Sequence, residues 1–179
     1  MRLRSALASA LSVAATLALT GTAAASATPV SAPSGATSRL GTCQEKTLDV
    51  RAAPGGQRNV ARISVTNHGD RACVVDRIPT VTFRGLDGSA EAVPPAGSGP
   101  YTLAAGERAY AAVRTADPAA TEGHVVGSLS VAADPSHTGL TFRAAAVGMP
   151  EGVHVWEPVT TLWQETQAAA DSALAGAAH

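Results

Sequence analysis

From Cys43 onward, apolar residues recur at every second position in short runs, and turn-forming residues separate the runs. Leu48, Val50 and Ala52 alternate with Thr47, Asp49 and Arg51; after Pro54-Gly55-Gly56 the pattern resumes with Ala61, Ile63 and Val65. A period of two puts successive side chains on opposite faces of an extended chain, so both runs predict half-buried strands. Asn67-His68-Gly69-Asp70 predicts a tight turn, since Asn and Gly tolerate positive φ and Asn or Asp can bond nearby amides. Cys73 and Val75 open a third strand. Val81 and Phe83 mark a fourth after the break at Pro79, and Asp87-Gly88 predicts a hairpin turn into a short return strand near residues 90–93.

Residues 94–100 read as an exposed Pro and Gly loop, and Leu103-Ala104-Ala105-Gly106 as the turn into a strand carrying Ala109, Ala111 and Val113. Val125, Leu129 and Val131 are expected on one face of the next strand. Leu140, Phe142, Ala144 and Ala146 are expected on one face of the strand after it, joined to it by a turn from Asp134-Pro135 to Gly139. Val153 and Val155 suggest a last strand reaching toward Leu162. With no long amphipathic helix between the runs, about 7–9 short strands predict an all-β protein, an antiparallel immunoglobulin-like β-sandwich.

The ends of the chain differ from this core. Residues 1–27 have the layout of a cleavable secretory signal peptide: Arg2 and Arg4, an apolar stretch over residues 6–19, and Ala25-Ser26-Ala27 at the cleavage position. That apolar stretch is shorter than the roughly 20 residues a permanent span needs, so no integral membrane span is expected after processing. Cys43 stands too far downstream for lipid attachment. Residues 28–42 are rich in Thr, Pro, Ser and Ala and predict a flexible spacer. Residues 43–163 form the expected β-sandwich domain, and the Ala-rich residues 164–179 an expected weakly helical or disordered tail.

The chain carries 13 Lys plus Arg against 14 Asp plus Glu. Loss of Arg2 and Arg4 leaves it mildly acidic, and nothing suggests a footprint for nucleic acid or anionic lipid. Cys43 and Cys73 are its only cysteines. Both lie in the part expected to be exported, where disulfides persist, and their spacing is not that of a C-x-x-C redox or metal pair. They are expected to pair as a structural bridge that ties the entering chain to the turn after the second strand. Closing a loop of about 31 residues stabilises a fold by roughly 3–4 kcal/mol on the chain-entropy model.

Cys43 before the first strand, Val65-Thr66-Asn67 at the end of the second, and Cys73 six residues later form a pattern. Pro79, Val81, Asp87-Gly88, Leu103, Gly106 and Ala109 extend it. In these residues the chain resembles a family of secreted actinobacterial domains known only as domain of unknown function 4232, over residues 43–147. Many relatives carry a further cysteine pair toward the C-terminus, which this chain lacks. The resemblance implies an immunoglobulin-like sandwich outside the cell and implies no activity or catalytic residues.

Candidate chemistry is sparse. No G-x-S-x-G run is present, and Gly97-Ser98-Gly99 is followed by Pro100, which lacks the amide a phosphate cradle uses. His68, His124, His137, His154 and His179 show no ligand spacing, and Met149 with His154 falls short of a copper set. No cofactor or metal is expected. The acidic residues show no pairing beyond a solvated surface, so the chain is expected not to be an enzyme. Trp156 and Trp163 are the candidate ligand-binding residues. Their odd spacing on an extended segment turns them to opposite faces, so at most one joins the core and the other is free to meet a ligand. The expectation is a secreted, non-catalytic module, free or loosely held at the cell wall, that binds a protein or cell-envelope component. The alternatives are a carbohydrate or wall-binding module using an exposed Trp and, behind it, a small hydrolase or metal-handling protein.

Overall fold

The computed structural model describes residues 39–177. The expected signal peptide over 1–27, the spacer up to residue 38, and His179 lie outside the described residues. Within them the chain forms β1 (Leu48–Pro54), β2 (Val60–Asn67), β3 (Cys73–Asp76), β4 (Thr80–Phe83), β5 (Glu91–Val93) and β6 (Pro100–Leu103). There follow β7 (Arg108–Arg114), β8 (His124–Val126), β9 (Ser128–Ala132), β10 (Leu140–Arg143), β11 (Val153–Val155), β12 (Val159–Thr161) and one helix, α1 (Gln167–Gly176).

Five strands make one sheet in the order β1-β2-β7-β12-β5, three make a second in the order β10-β9-β4, and β3-β6 and β11-β8 are two-stranded. The alternation explains the layering. Ala61, Ile63 and Val65 of β2 and Ala111 and Val113 of β7 share one buried cluster with Val81, Leu129 and Val131 of the three-stranded sheet, and with Val75 and Leu103 of the β3-β6 pair. The protein is thus an all-β, largely antiparallel sandwich with one disulfide, joining Cys43 to Cys73. Cys43 and Cys73 stand where the sequence places them, ahead of β1 and at the start of β3. Thr42 also bridges Val74, and the Cys43 amide donates to the Val74 carbonyl at 2.8 Å.

β7 is buried on both faces, which accounts for the unbroken run from Ala109 to Val113. Its even positions, with Val60, meet Ala170 and Leu174 of α1 in a second, smaller cluster. The Ala-rich stretch expected to be weakly helical or disordered therefore contains a docked helix. Thr166 caps it by accepting the Ala169 amide at 3.1 Å, and Arg62 holds it through a two-pronged contact with Asp171 at 2.7 and 3.2 Å. Docking supplies the apolar face that a ten-residue helix needs in order to persist.

Three local expectations are corrected. The return strand after Asp87-Gly88 touches β4 only briefly, through a Thr82–Ser89 bridge; as β5 it crosses to the other sheet and pairs in parallel with β12. Val125 does not share a face with Leu129 and Val131. The run divides at Gly127 into β8 and β9, which join different sheets, leaving Val125 exposed while the other two are buried. The strand carrying Leu140 and Phe142 ends at Arg143, and Ala144–Val147 turns into a single 3-10 turn that buries Ala144 and Val147 in place of Ala144 and Ala146. Sequence reading also passed over β6, because a strand that starts at Pro100 inside a Pro and Gly region lacks the usual signal.

Asn67 acts through its side chain and not through positive φ. Fully buried at the end of β2, its Nδ2 donates to the carbonyls of Arg71, Leu103 and Ala104, and its Oδ1 accepts the Gly69 amide. One amide thereby fastens the β2–β3 turn to the β6–β7 turn.

Candidate functional site

Strain collects at one end of the sandwich. Asn59, the last residue of the β1–β2 turn, has φ 61°, and Glu157, after β11, has φ 46°. Non-glycine residues seldom occupy this region and are held there only by their surroundings. Here the holder is buried Thr115, at the end of β7. Its amide donates to the Asn59 carbonyl at 2.8 Å, its hydroxyl to the same oxygen at 3.3 Å, and its own carbonyl accepts the Trp156 amide at 2.9 Å. A single residue thus ties the first turn to the segment that carries Trp156.

The loop after β7 is fixed next. Asp117 caps it by accepting the Ala119 amide at 2.8 Å, and His154 Nε2 bonds the Glu122 carbonyl at 2.8 Å. Gly123 has φ 127°, and a Cβ there would lie 2.6 Å from the Val155 carbonyl oxygen, so this close approach requires glycine. β8 and β11 then form a short ribbon in which Val125 pairs with His154. Directly paired residues share a face, and on that face Val125 is 67% exposed. Beside the ribbon lies an open groove of about 650 Å³. Val60, Val147 and Met149 give it an apolar floor, while Arg58 and Glu151 place opposite charges on its lining.

The strand expected to run from Val153 toward Leu162 is broken, since β11 ends at Val155, Glu157 has φ 46° and β12 begins at Val159 in another sheet, so the two tryptophans part for a reason other than odd spacing on one extended segment. Trp156 is 38% exposed, and Trp163 is 3% exposed within the main core, its Nε1 without a hydrogen-bond partner. Trp163 offers no ring to a ligand, so of the two only Trp156 is positioned to meet one. Met149 and His154 both line the groove, and the His154 Nε2 is engaged by a backbone carbonyl. His137 likewise bonds the Cys43 carbonyl at 2.9 Å, and His68 stands 3.8 Å from Asp49. Among the described residues no group of three or more His, Cys, Asp or Glu is placed to hold a metal ion.

Sequence reading found Trp156 but missed the groove and Val125. The groove is built from three chain segments far apart in sequence, and Val125 looked like a core residue because its run was read as a single strand. Asn59 before a strand and Gly123 before the ribbon were the available signals.

Some charged side chains elsewhere are engaged in folding contacts. Glu45 accepts the Gly139 and Thr138 amides, which hold its pKa below the usual carboxylate value, with His137 adding in the same sense. Arg62 is held above its ordinary value by Asp171.

No helix among the described residues is long and apolar enough to cross a membrane. Comparison with curated proteins and with solved structures gave no match. A family model described as "Domain of unknown function (DUF4232)" matches residues 43–164. The match continues well past Ala116 and ends just before α1. The chain therefore belongs to the domain of unknown function 4232 family.

Proposed function

We propose that this is an exported, non-catalytic binding module that engages a protein or other component of the cell envelope at the strained end of the sandwich. The observation that carries the reading is the pairing of exposed apolar groups with a rigid frame: Val125 in the ribbon and Trp156 just past its end are both exposed, and Thr115 pins the Trp156 backbone to the β1–β2 turn. Apolar anchors beside a preformed groove bind at low ordering cost. Export is supported by the layout of residues 1–27 and by a disulfide that persists only in an oxidising compartment.

The test is retention of native envelope material by the disulfide-bonded protein, comparing wild type with Trp156→Ala and Val125→Asp. Both positions are exposed enough for the variants to keep the fold, unlike Trp163→Ala, which would open the core. Loss of one retained species in both variants supports the reading. Turnover of envelope glycans or peptides by the wild type, or retention unchanged in both variants, overturns it.

The exposed Trp156 ring favours one second reading, a glycan stacked on the indole. In that case the retained material is released by glycosidase and not by protease, and Val125→Asp weakens it less than Trp156→Ala.

A further inference from the structure

The outer face of the three-stranded sheet carries a different chemistry. Thr82 pairs with Ser130, Ser130 pairs with Thr141, and Thr82 also bridges Ser89, so four hydroxyl residues form one row across the sheet. The Ser130 and Thr141 hydroxyls lie 2.8 Å apart. Two residues along, the Arg84 amide donates to the Ser128 carbonyl at 3.2 Å, and Ser128 pairs with Arg143. The register therefore sets Arg84 and Arg143 on the same face as the hydroxyl row, on opposite sides of Ser128. Two strand spacings separate their backbones, about 10 Å. Thr82, Arg84, Ser128, Ser130 and Thr141 line an open hollow of about 340 Å³.

Both arginines are exposed, and among the described residues neither makes an ion pair. Arg51 and Arg62, by contrast, each hold a carboxylate, Asp49 and Asp171. Asp87, the acid nearest in sequence, stands in the turn after β4 and pairs with neither. The chain as a whole has net charge −1, so anion attraction here rests on this pair and not on a general field.

We propose that this face binds a polyuronate glycan. A guanidinium matches a carboxylate as a two-pronged fork, and each Ser or Thr hydroxyl both donates and accepts, as sugar hydroxyls require of a partner. The one aromatic residue of the lining, Phe83, is only 5% exposed and packs in the core, so the hollow offers no open ring on which nucleobases could stack and no exposed large apolar anchor of the kind a protein interface centres on. Two cations on either side of Ser128, Arg84 at the hollow and Arg143 just outside its lining, run alongside the hydroxyl row and fit a linear polymer that carries carboxylates along its length and lies across the strands. The face shares no lining residue with the groove beside Val125, so it stands apart from the binding end proposed above.

The test uses the disulfide-bonded protein with oligogalacturonate as the probe, and neutral dextran and inorganic polyphosphate as comparators, followed by calorimetry over a range of salt. Oligogalacturonate is expected to bind and dextran not to. Arg84→Gln and Arg143→Gln are each expected to weaken binding about tenfold, and Thr82→Val with Thr141→Val a further severalfold at unchanged salt slope. Trp156→Ala is expected to leave it unaltered, which separates this face from the groove. Circular dichroism of each variant confirms the fold. No binding of oligogalacturonate, binding that survives in the double arginine variant, or equal affinity for polyphosphate with no effect of the threonine changes overturns the proposal.

Discussion

Asp134 shows how one side chain can serve as a local organiser. Burial pushes its carboxyl up, but the Ser136 hydroxyl and amide and the Asp76 amide all donate to it, and with His137 nearby they outweigh burial and bring it below the usual carboxylate value. The unfolded chain then takes up the proton more readily than the folded one. Stability from this carboxylate is complete above the ordinary value of 3.8 and is lost as pH falls through the lower folded value. Asp134→Asn is expected to cost about 1–2 kcal/mol at neutral pH, with the gap from wild type closing below roughly pH 4. Urea unfolding at pH 7 and pH 3 measures it; a gap that stays constant would mean that the charge contributes nothing. Asp134 was visible in the sequence only as a turn residue before Pro135, because its donors come from Asp76, on a strand 58 residues away, as well as from its own turn. Asn67 repeats the lesson: its turn was legible, whereas the carbonyls of Leu103 and Ala104 that it bonds were not.

α1 raises the question of which contact holds a short helix to a sheet. The Arg62–Asp171 pair has both partners substantially exposed, with side chains 41% and 33% accessible, and such pairs contribute at most about 1 kcal/mol. Leu174 is buried against Val60 and Ala112, and removing a buried leucine side chain costs about 2 kcal/mol or more. Packing should therefore dominate. Leu174→Ala is expected to destabilise the protein by about 2 kcal/mol and to lower helical circular dichroism, while Asp171→Asn costs about 0.5 kcal/mol or less. The reverse order would show that the ion pair anchors the helix. Among the strands, β1, β2 and β7 were legible because their main-core residues, Val50, Ala61, Ile63, Val65, Ala109, Ala111 and Val113, recur at every second position, although β7 and Val60 also bury a second face under α1. β5 and β8 were not. Three residues are too few to show a period, and their partners, β12 and β11, lie far along the chain.

The sandwich as a whole was readable from the sequence because its core positions repeat with turn residues between them, and the bridge was readable because the chain has only two cysteines and hence one possible pairing. The strained end was not, since Asn59, Thr115 and Trp156 become neighbours only when the β1–β2 turn, the end of β7 and the segment after β11 are assembled. The disulfide raises the question of what holds the entering chain. Cys43 and Cys73 are 30 residues apart, and the loop they close contains the whole β1–β2 hairpin. Constraining a loop of that length in the unfolded chain stabilises the fold by about 3–4 kcal/mol, a large share of the roughly 5–15 kcal/mol typical of a domain. Against this stand two backbone bonds at the same place, from the Cys43 amide to Val74 and from the Val74 amide to Gly41, at 2.8 and 3.0 Å. Their net contribution is about 1 kcal/mol each, so they cannot replace the bridge. Replacing both cysteines with Ala is expected to lower unfolding free energy in urea by about 3–4 kcal/mol, with the fold retained. A loss under about 1 kcal/mol would mean that the unfolded chain already keeps residues 41–74 together, and that the hairpin rather than the bridge sets where the chain enters the sandwich.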